Sequence, residues 1–299
     1  MNSSKENTAL KVARGQLILA MTIFGTIGIF VKYIPLPSSD ISCVRGFLGV
    51  AFLLLVSCLR KKKISLSDIK KNLLLLCISG AFIGINWILL FEAYRYTTVA
   101  TATLCYYMAP IFVTLASPFI LKEKLTLKKA TCTIIALVGM VFVSGIVGSN
   151  SLQINIPGIL CGIGAAFFYA CVILLNKHMK QISSYDMTIT QLLIAAVVIL
   201  PYILITEDIS AVALDAPAII CLIILGVIHT GFAYMIYFSS IANLKAQTVA
   251  IFSYIDPVVA ILLSALLLKE KMGVFEIIGA VLILGSTLFS EVEVKRKKA

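Results

Sequence analysis

Asp256 is the residue with the most chemistry to offer. It lies about ten residues into an apolar stretch running from 246 to 268, which places it about 15 Å along a helix of that length and so near its middle. In a bilayer, a carboxylate at that depth costs about 3 kcal/mol on insertion scales and marks a functional site by default. Pro257 follows it. A proline has no N–H to give the carbonyl four residues back, so the Ser253 carbonyl is freed beside the carboxylate. Two readings are open for Asp256: a carboxylate that binds an ammonium group or a proton, or a protonated acid hydrogen-bonded within a helix interface.

Aromatic and polar side chains fall at comparable depths in other apolar stretches: Asn86 with Trp87, Tyr106 with Tyr107, then Tyr169, Tyr234 and Tyr254. Trp and Tyr faces attract cations, so an aromatic box with one acid suits an ammonium or quaternary amine. Each ring taken alone is equally suited to ordinary helix packing. Tyr237, nearer a stretch end, reads as an interface anchor. His229 is either a proton relay or substrate donor, or a packed neutral imidazole. Arg45 lies about 9 Å below the outer end of its stretch and Glu92 near the outer end of the next. Their opposite signs predict a pair that gates the outer side or fixes helix register.

Other chemistries lack their parts. The eight cysteines are scattered singly, without the spacing of a metal site or disulfide framework. There is no His-Glu-x-x-His pattern, no Gly-x-Ser-x-Gly elbow and no phosphate-binding Gly-x4-Gly-Lys-Ser/Thr loop, which argues against metal or serine hydrolysis and against an ATP-driven pump. An aspartyl protease needs a second acid opposite Asp256, and the other acids in apolar stretches lie near their ends. No metal and no cofactor are expected.

The elements that position these residues follow from composition. Of 299 residues, 60% are apolar and 13% charged, with a mean hydropathy of +1.04. Soluble domains are about half apolar and a quarter charged, so a water-soluble globule is ruled out. Ten spans of about 20 residues use about 200 residues. What is left makes short connections, with no room for an extramembrane domain of about 50 residues or more. Apolar runs bounded by charge, proline or polar clusters place the spans at 13–33, 40–59, 72–94, 97–121, 129–148, 156–176, 186–206, 216–239, 246–268 and 273–291. The first reads as an uncleaved span rather than a leader. Closely spaced glycines in the first, third and sixth spans read as packing positions. Counting Lys and Arg in alternate connections puts 20 of the 25 basic residues on the N-terminal side, four on the other, and Arg45 within a span. By the positive-inside rule both termini are cytoplasmic. The net charge of +11 is then an orientation signal and not a nucleic-acid patch.

The chain also repeats itself at an offset of 147 residues. From Thr101 to Lys124, nine of 24 positions match their counterparts, among them Tyr107 with Tyr254, Pro110 with Pro257, and Leu121-Lys122-Glu123-Lys124 with Leu268-Lys269-Glu270-Lys271. The offset is half the chain, giving two units, 1–148 and 149–299, of five spans each. Five is odd, so the second unit enters the membrane upside down. Pro110 frees the Tyr106 carbonyl as Pro257 frees that of Ser253, which puts two interrupted helices at equivalent depths. The counterpart of Asp256 is Ala109, so symmetry does not demand the charge.

In Gly25, Arg45, Pro110 with the Leu-Lys-Glu-Lys turn and Gly139, and the second copy at Pro257, Lys269 to Lys271, Gly279 and Gly285, the sequence resembles the EamA type of the drug/metabolite transporter superfamily. The resemblance covers about 13–290. It implies an all-α membrane protein of ten transmembrane helices in two inverted five-helix repeats, around a cavity walled mainly by spans 1, 3, 4, 6, 8 and 9. Two departures are Phe24, where that family often carries Trp, and Gln191, at about the repeat position of Arg45. The implied activity is secondary transport of a small polar metabolite (amino acid, amine or other organic cation or zwitterion) across the cytoplasmic membrane by alternating access. Proton coupling is one option. A channel or structural scaffold shares the composition but does not account for an inverted repeat with mid-depth breaks. The expected partners are the solute and the lipid bilayer, with monomer and homodimer both open.

Overall fold

The computed structural model describes residues 2–61, 64–120, 126–143, 155–206, 214–241, 244, 252–253 and 255–291. All regular structure among them is helical. Long apolar runs without water must satisfy every backbone N–H and C=O internally, and a helix does so within one segment.

In chain order the helices are α1 (Asn2–Gly25), α2 (Ile27–Lys32), α3 (Ser38–Leu59), α4 (Leu66–Lys71), α5 (Leu73–Tyr96), α6 (Val99–Tyr106), α7 (Ala109–Ile120), α8 (Leu127–Val143), α9 (Ile156–Asn176), α10 (Ser184–Thr206) and α11 (Ala216–Ile224). A π-helical turn (Leu225–Phe232) leads into α12 (Ala233–Ile241), followed by α13 (Ile255–Leu267) and α14 (Val274–Glu291). Starts are marked by side-chain caps: Thr98 accepts from Thr101 N–H, Asn155 from Gly158 N–H and Asp215 from Ala218 N–H.

Seven stretches are long and apolar enough to cross a membrane: Leu10–Lys32, Ser38–Leu59, Leu73–Tyr96, Val99–Ile120, Ile156–Asn176, Ser184–Ile205 and Ala216–Ser240. Three shorter apolar helices, Ala130–Val143, Ile255–Leu267 and Val274–Ser286, fall where the other three expected spans lie. The first Leu-Lys-Glu-Lys turn, 121–124, is outside the described residues.

The helix packing has an internal symmetry. Taking these ten apolar segments in chain order, segment 3 packs on 6 as 8 packs on 1, 3 on 7 as 8 on 2, and 4 on 6 as 9 on 1. Segments 5 and 10, 2 and 7, and 4 and 9 pack on their own counterparts. Exchanging every segment with the one five places on leaves these pairings unchanged, which is the pattern of a pseudo-two-fold axis. The pair α8 and α14 meets backbone to backbone: a Cβ on Gly139 would lie 2.9 Å from the Gly279 carbonyl oxygen, and one on Gly279 would lie 2.6 Å from that of Gly139.

One place breaks the symmetry. In α5, Gly80 and Gly84 receive Ile194 and Ile199 of α10; on the other side, Gly226 and Gly231 receive Leu48 and Phe52 of α3. The first glycine pair is four residues apart and the second five. The π-helical turn takes up the extra residue, since its bonds reach one residue further back than an α-helix. Two side chains follow the same spacing: Thr230 Oγ1 donates to the Leu225 carbonyl at 2.9 Å, and His229 Nδ1 faces the Ile224 carbonyl at 3.2 Å.

Candidate functional site

A cavity of about 340 Å³ lies between the two halves of this map. Its wall is built at the break before Pro110 and at the first turn of α13, which holds Asp256. α6 ends at Tyr106 and α7 begins at Ala109, with Tyr107 and Met108 in the turn between them and Pro110 in the first turn of α7. The Tyr107 hydroxyl donates to the Ser253 carbonyl at 2.9 Å, the carbonyl that Pro257 leaves without a backbone donor. The same hydroxyl is a hydrogen-bonding partner of the Asp256 carboxyl. Ser253, Asp256, Tyr106, Tyr107 and Pro110 all line the cavity, while Pro257 is buried in the first turn of α13. α1 presses against this point: a Cβ on Gly25 would stand 2.6 Å from the Asp256 carbonyl oxygen.

The aromatic walls come from several helices. Trp87 of α5, Tyr169 of α9 and Tyr234 of α12 line the cavity, with the Tyr106 and Tyr169 rings 5.4 Å apart. Tyr237, expected at a membrane interface, lines it too; it packs with Phe24, whose ring is 6.1 Å from Tyr237 and 5.4 Å from Tyr234. One helical turn separates Tyr234 from Tyr237, so both face inward. Tyr254 lies outside the described residues.

Two expected binding residues sit behind the wall. Asn86, 2% exposed, donates to the Ala165 carbonyl at 2.6 Å and bonds the Tyr106 hydroxyl, so it positions that ring. His229, 1% exposed, is 2.7 Å from Thr26 Oγ1 through Nε2 and packs edge-on against Phe30. It joins the π-helical turn to the junction of α1 and α2.

The expected Arg45–Glu92 pair is not formed. Glu92 bonds Arg95 on its own helix, Oε1 to Nη1 at 3.1 Å. Arg45 instead lines the cavity with only 2% of its surface exposed. Its guanidinium lies 4.2 Å above the Trp87 ring centroid and 5.3 Å from that of Phe91, and Nε donates to Thr230 Oγ1 at 3.0 Å. Trp87, Phe91 and Tyr94 recur at i, i+4 and i+7 on one stripe of α5, and Glu92 is turned about 100° from it. Depth along the span was readable; the face was not used, although that same spacing also points to Tyr94, a wall residue the sequence reading passed over. α3, which brings Arg45, joins the segments expected to wall the cavity.

At the span ends opposite the N-terminus, Glu270 gathers three partners. It accepts from Val99 N–H at 2.9 Å, bonds the Ser264 hydroxyl, and stands 3.6 Å from Lys32 Nζ, which also donates to the Thr97 carbonyl. Among the described residues no group of His, Cys, Asp and Glu is placed to hold a metal.

The profile of the EamA-like transporter family matches the chain twice, over residues 15–145 and 156–291. The chain belongs to this family. Its two EamA matches correspond to the two halves of the packing map. An uncharacterized transporter of Bacillus subtilis, YxxF, is 31% identical over 287 residues, which is 94% of this chain and 89% of that protein. A probable amino-acid metabolite efflux pump of Salmonella typhimurium is 28% identical over 188 residues, 59% of this chain and 62% of the pump. A protein crystal structure with 17% identity shares the fold at a TM-score of 0.67, over 93% of this chain and 97% of its own. This EamA-like chain is a multi-pass membrane transporter.

Proposed function

We propose that this EamA-like chain is a secondary transporter that carries a small polar metabolite (an amino acid, amine or other organic cation or zwitterion) across the cytoplasmic membrane by alternating access. In this reading the three shorter apolar helices complete ten spans, the repeats divide near residue 148, and both termini are cytoplasmic. The reading rests on the cavity between counterpart segments, where the break between α6 and α7 faces the segment leading into α13: the Tyr107 hydroxyl of one meets the Ser253 carbonyl of the other at 2.9 Å. Interrupted helices at a shared depth let each half tilt about its break while the ligand site stays in place. Lys32 and Glu270, 3.6 Å apart, close one end.

Asp256 is the ionisable group at this meeting point. A phenol has one proton. With that proton given to Ser253, the carboxyl completes its bond to Tyr107 as the protonated acid; once ionised, it draws the phenolic hydrogen bond to itself and away from Ser253. Loss of a proton, or arrival of an ammonium group, at Asp256 therefore changes the bond that ties the two segments together.

The test is flux in proteoliposomes. Wild-type protein gives saturable, temperature-dependent uptake of at least one metabolite, with a pH dependence. Asp256→Asn is expected to abolish that uptake or make it independent of pH. A variant that keeps both the rate and the pH profile removes Asp256 from the mechanism, and flux that rises linearly with concentration replaces the carrier by a channel.

A further inference from the structure

We propose that Arg45 is a carboxylate-binding residue of this cavity, so that the solute carried bears a carboxylate and is not a simple amine. The word carried rests on the transporter reading above; the subsite rests on geometry.

Arg45 is almost wholly buried, yet it is a wall residue of the cavity. Its Nε is committed to Thr230 at 3.0 Å and one face is stacked on Trp87 at 4.2 Å. Among the described residues, neither Nη1 nor Nη2 has a hydrogen-bond partner, and no acidic side chain forms an ion pair with it. A buried cation without a counter-charge is costly, and a pair of adjacent N–H donors on a rigid plane matches the two oxygens of a carboxylate. Thr230 and Trp87 hold the plane, so the open edge of the fork is fixed before any ligand arrives.

The other half of the molecule supplies a control. Near the symmetry-equivalent position, Gln191 is also buried, but its amide nitrogen donates to Ser79 and to Asn176, each at 2.7 Å. Both N–H groups of that amide are taken, by α5 and by α9, whereas both terminal nitrogens of Arg45 have no partner among the described residues. Asp256 is the acid among the described residues lining the cavity, and it makes no ion pair with Arg45. Tyr94 and Tyr106 lie within electrostatic range of both charges. A cation and an acid are thus held apart with aromatic surface between them. That arrangement takes a molecule whose carboxylate sits on Arg45 and whose remainder runs along the rings toward Asp256.

Trp87 is the single tryptophan of the chain and lies directly beneath the guanidinium, so its fluorescence reads occupancy of this subsite. The experiment titrates purified protein in nanodiscs with non-fluorescent L-amino acids of aliphatic, aromatic and cationic side chains. Each amino acid is compared with its own amide and with the amine that lacks the carboxyl carbon. At least one amino acid is expected to shift Trp87 emission saturably, with its amide and amine weaker by about tenfold or more. Arg45→Lys keeps the charge but loses the fork, and is expected to remove that preference in a protein that still melts cooperatively. The comparison of acid with amide on the wild-type protein needs no variant. The subsite is overturned if amides and amines bind as well as the acids, if no carboxylate perturbs Trp87, or if a folded Arg45→Lys protein keeps the preference. Flux separates the two readings: amines carried without a carboxylate preference leave the carrier and remove the subsite, whereas an Arg45-dependent Trp87 shift without saturable flux leaves the subsite and removes the carrier.

Discussion

The Tyr107 hydroxyl is the residue-scale hinge of the site, because its single proton serves a carbonyl on another helix that proline has left without a backbone donor. Tyr107→Phe keeps the ring and removes that donor. Loss of one hydrogen bond costs about 0.5–1.5 kcal/mol, so the variant is expected to melt at a lower temperature in detergent and to lose the pH dependence of flux that Asp256 confers. Depth in a span and the position of a proline, both one-dimensional, were enough to single out Asp256, Ser253, Tyr106, Tyr107, Tyr169 and Tyr234, but not Tyr94 or the inward face of Tyr237. The partners of Arg45 and Glu92 were not legible in that way. Opposite charges at similar depth suggested a pair, but helix rotation decides contacts, and one residue of rotation sent Glu92 to Arg95. The two readings of His229, a polar contact for proton or substrate and a packed imidazole, stayed open for a related reason. A histidine at mid-depth has many ways to be satisfied, and here Thr26 and the Ile224 carbonyl take both ring nitrogens.

At the scale of elements, hydrophobic runs fixed most helix limits: the expected 156–176 is α9 itself, and 40–59 is α3 with two residues added. Proline marked the break between α6 and α7 but not its width, the two residues Tyr107 and Met108 that belong to neither helix. Glycines read from sequence as packing positions divide once their surroundings are seen. Gly279→Ala forces a methyl against the backbone of α8 and is expected to destabilise the protein by about 1–3 kcal/mol in a thermal-shift assay. Gly285 has nothing within 4 Å of an added Cβ. Gly285→Ala is therefore expected to leave the midpoint unchanged or raise it, by up to about 1 kcal/mol of stability, because alanine loses less backbone freedom than glycine on forming a helix. Equal effects at both positions would mean that α8 and α14 do not meet as described.

For the whole molecule, the internal repeat announced two related halves, and the segment map carries that relation into contacts between helices far apart in sequence. The clasp at Glu270 did not emerge from the sequence, where the repeated Leu-Lys-Glu-Lys stretch spoke only for the relation between the two halves. It lies over the apolar cluster that contains Val99, Cys161 and Leu268. Glu270→Gln weakens the attraction to Lys32 and is expected to speed labelling of Cys161 by a membrane-impermeant maleimide. An unchanged rate would show that the clasp does not control access at that end. The charge asymmetry predicts that green fluorescent protein fused after Ala299 fluoresces and that alkaline phosphatase fused there is inactive; the reverse result would invert the topology.

The extra residue in the π-helical turn has a consequence for what the cavity can distinguish. A site lying on a perfect two-fold axis presents the same chemistry in two opposed directions, so a bound molecule and its image turned end for end would fit equally well. Between Gly226 and Gly231 the second half is one residue longer than the corresponding stretch of the first, and that turn carries Thr230 to the Arg45 Nε. The two halves stop being equivalent where a guanidinium is fastened on one side and Gln191 is already saturated on the other. Recognition of a solute with a distinct head and tail can therefore begin from a difference of one residue between two copies of the same design.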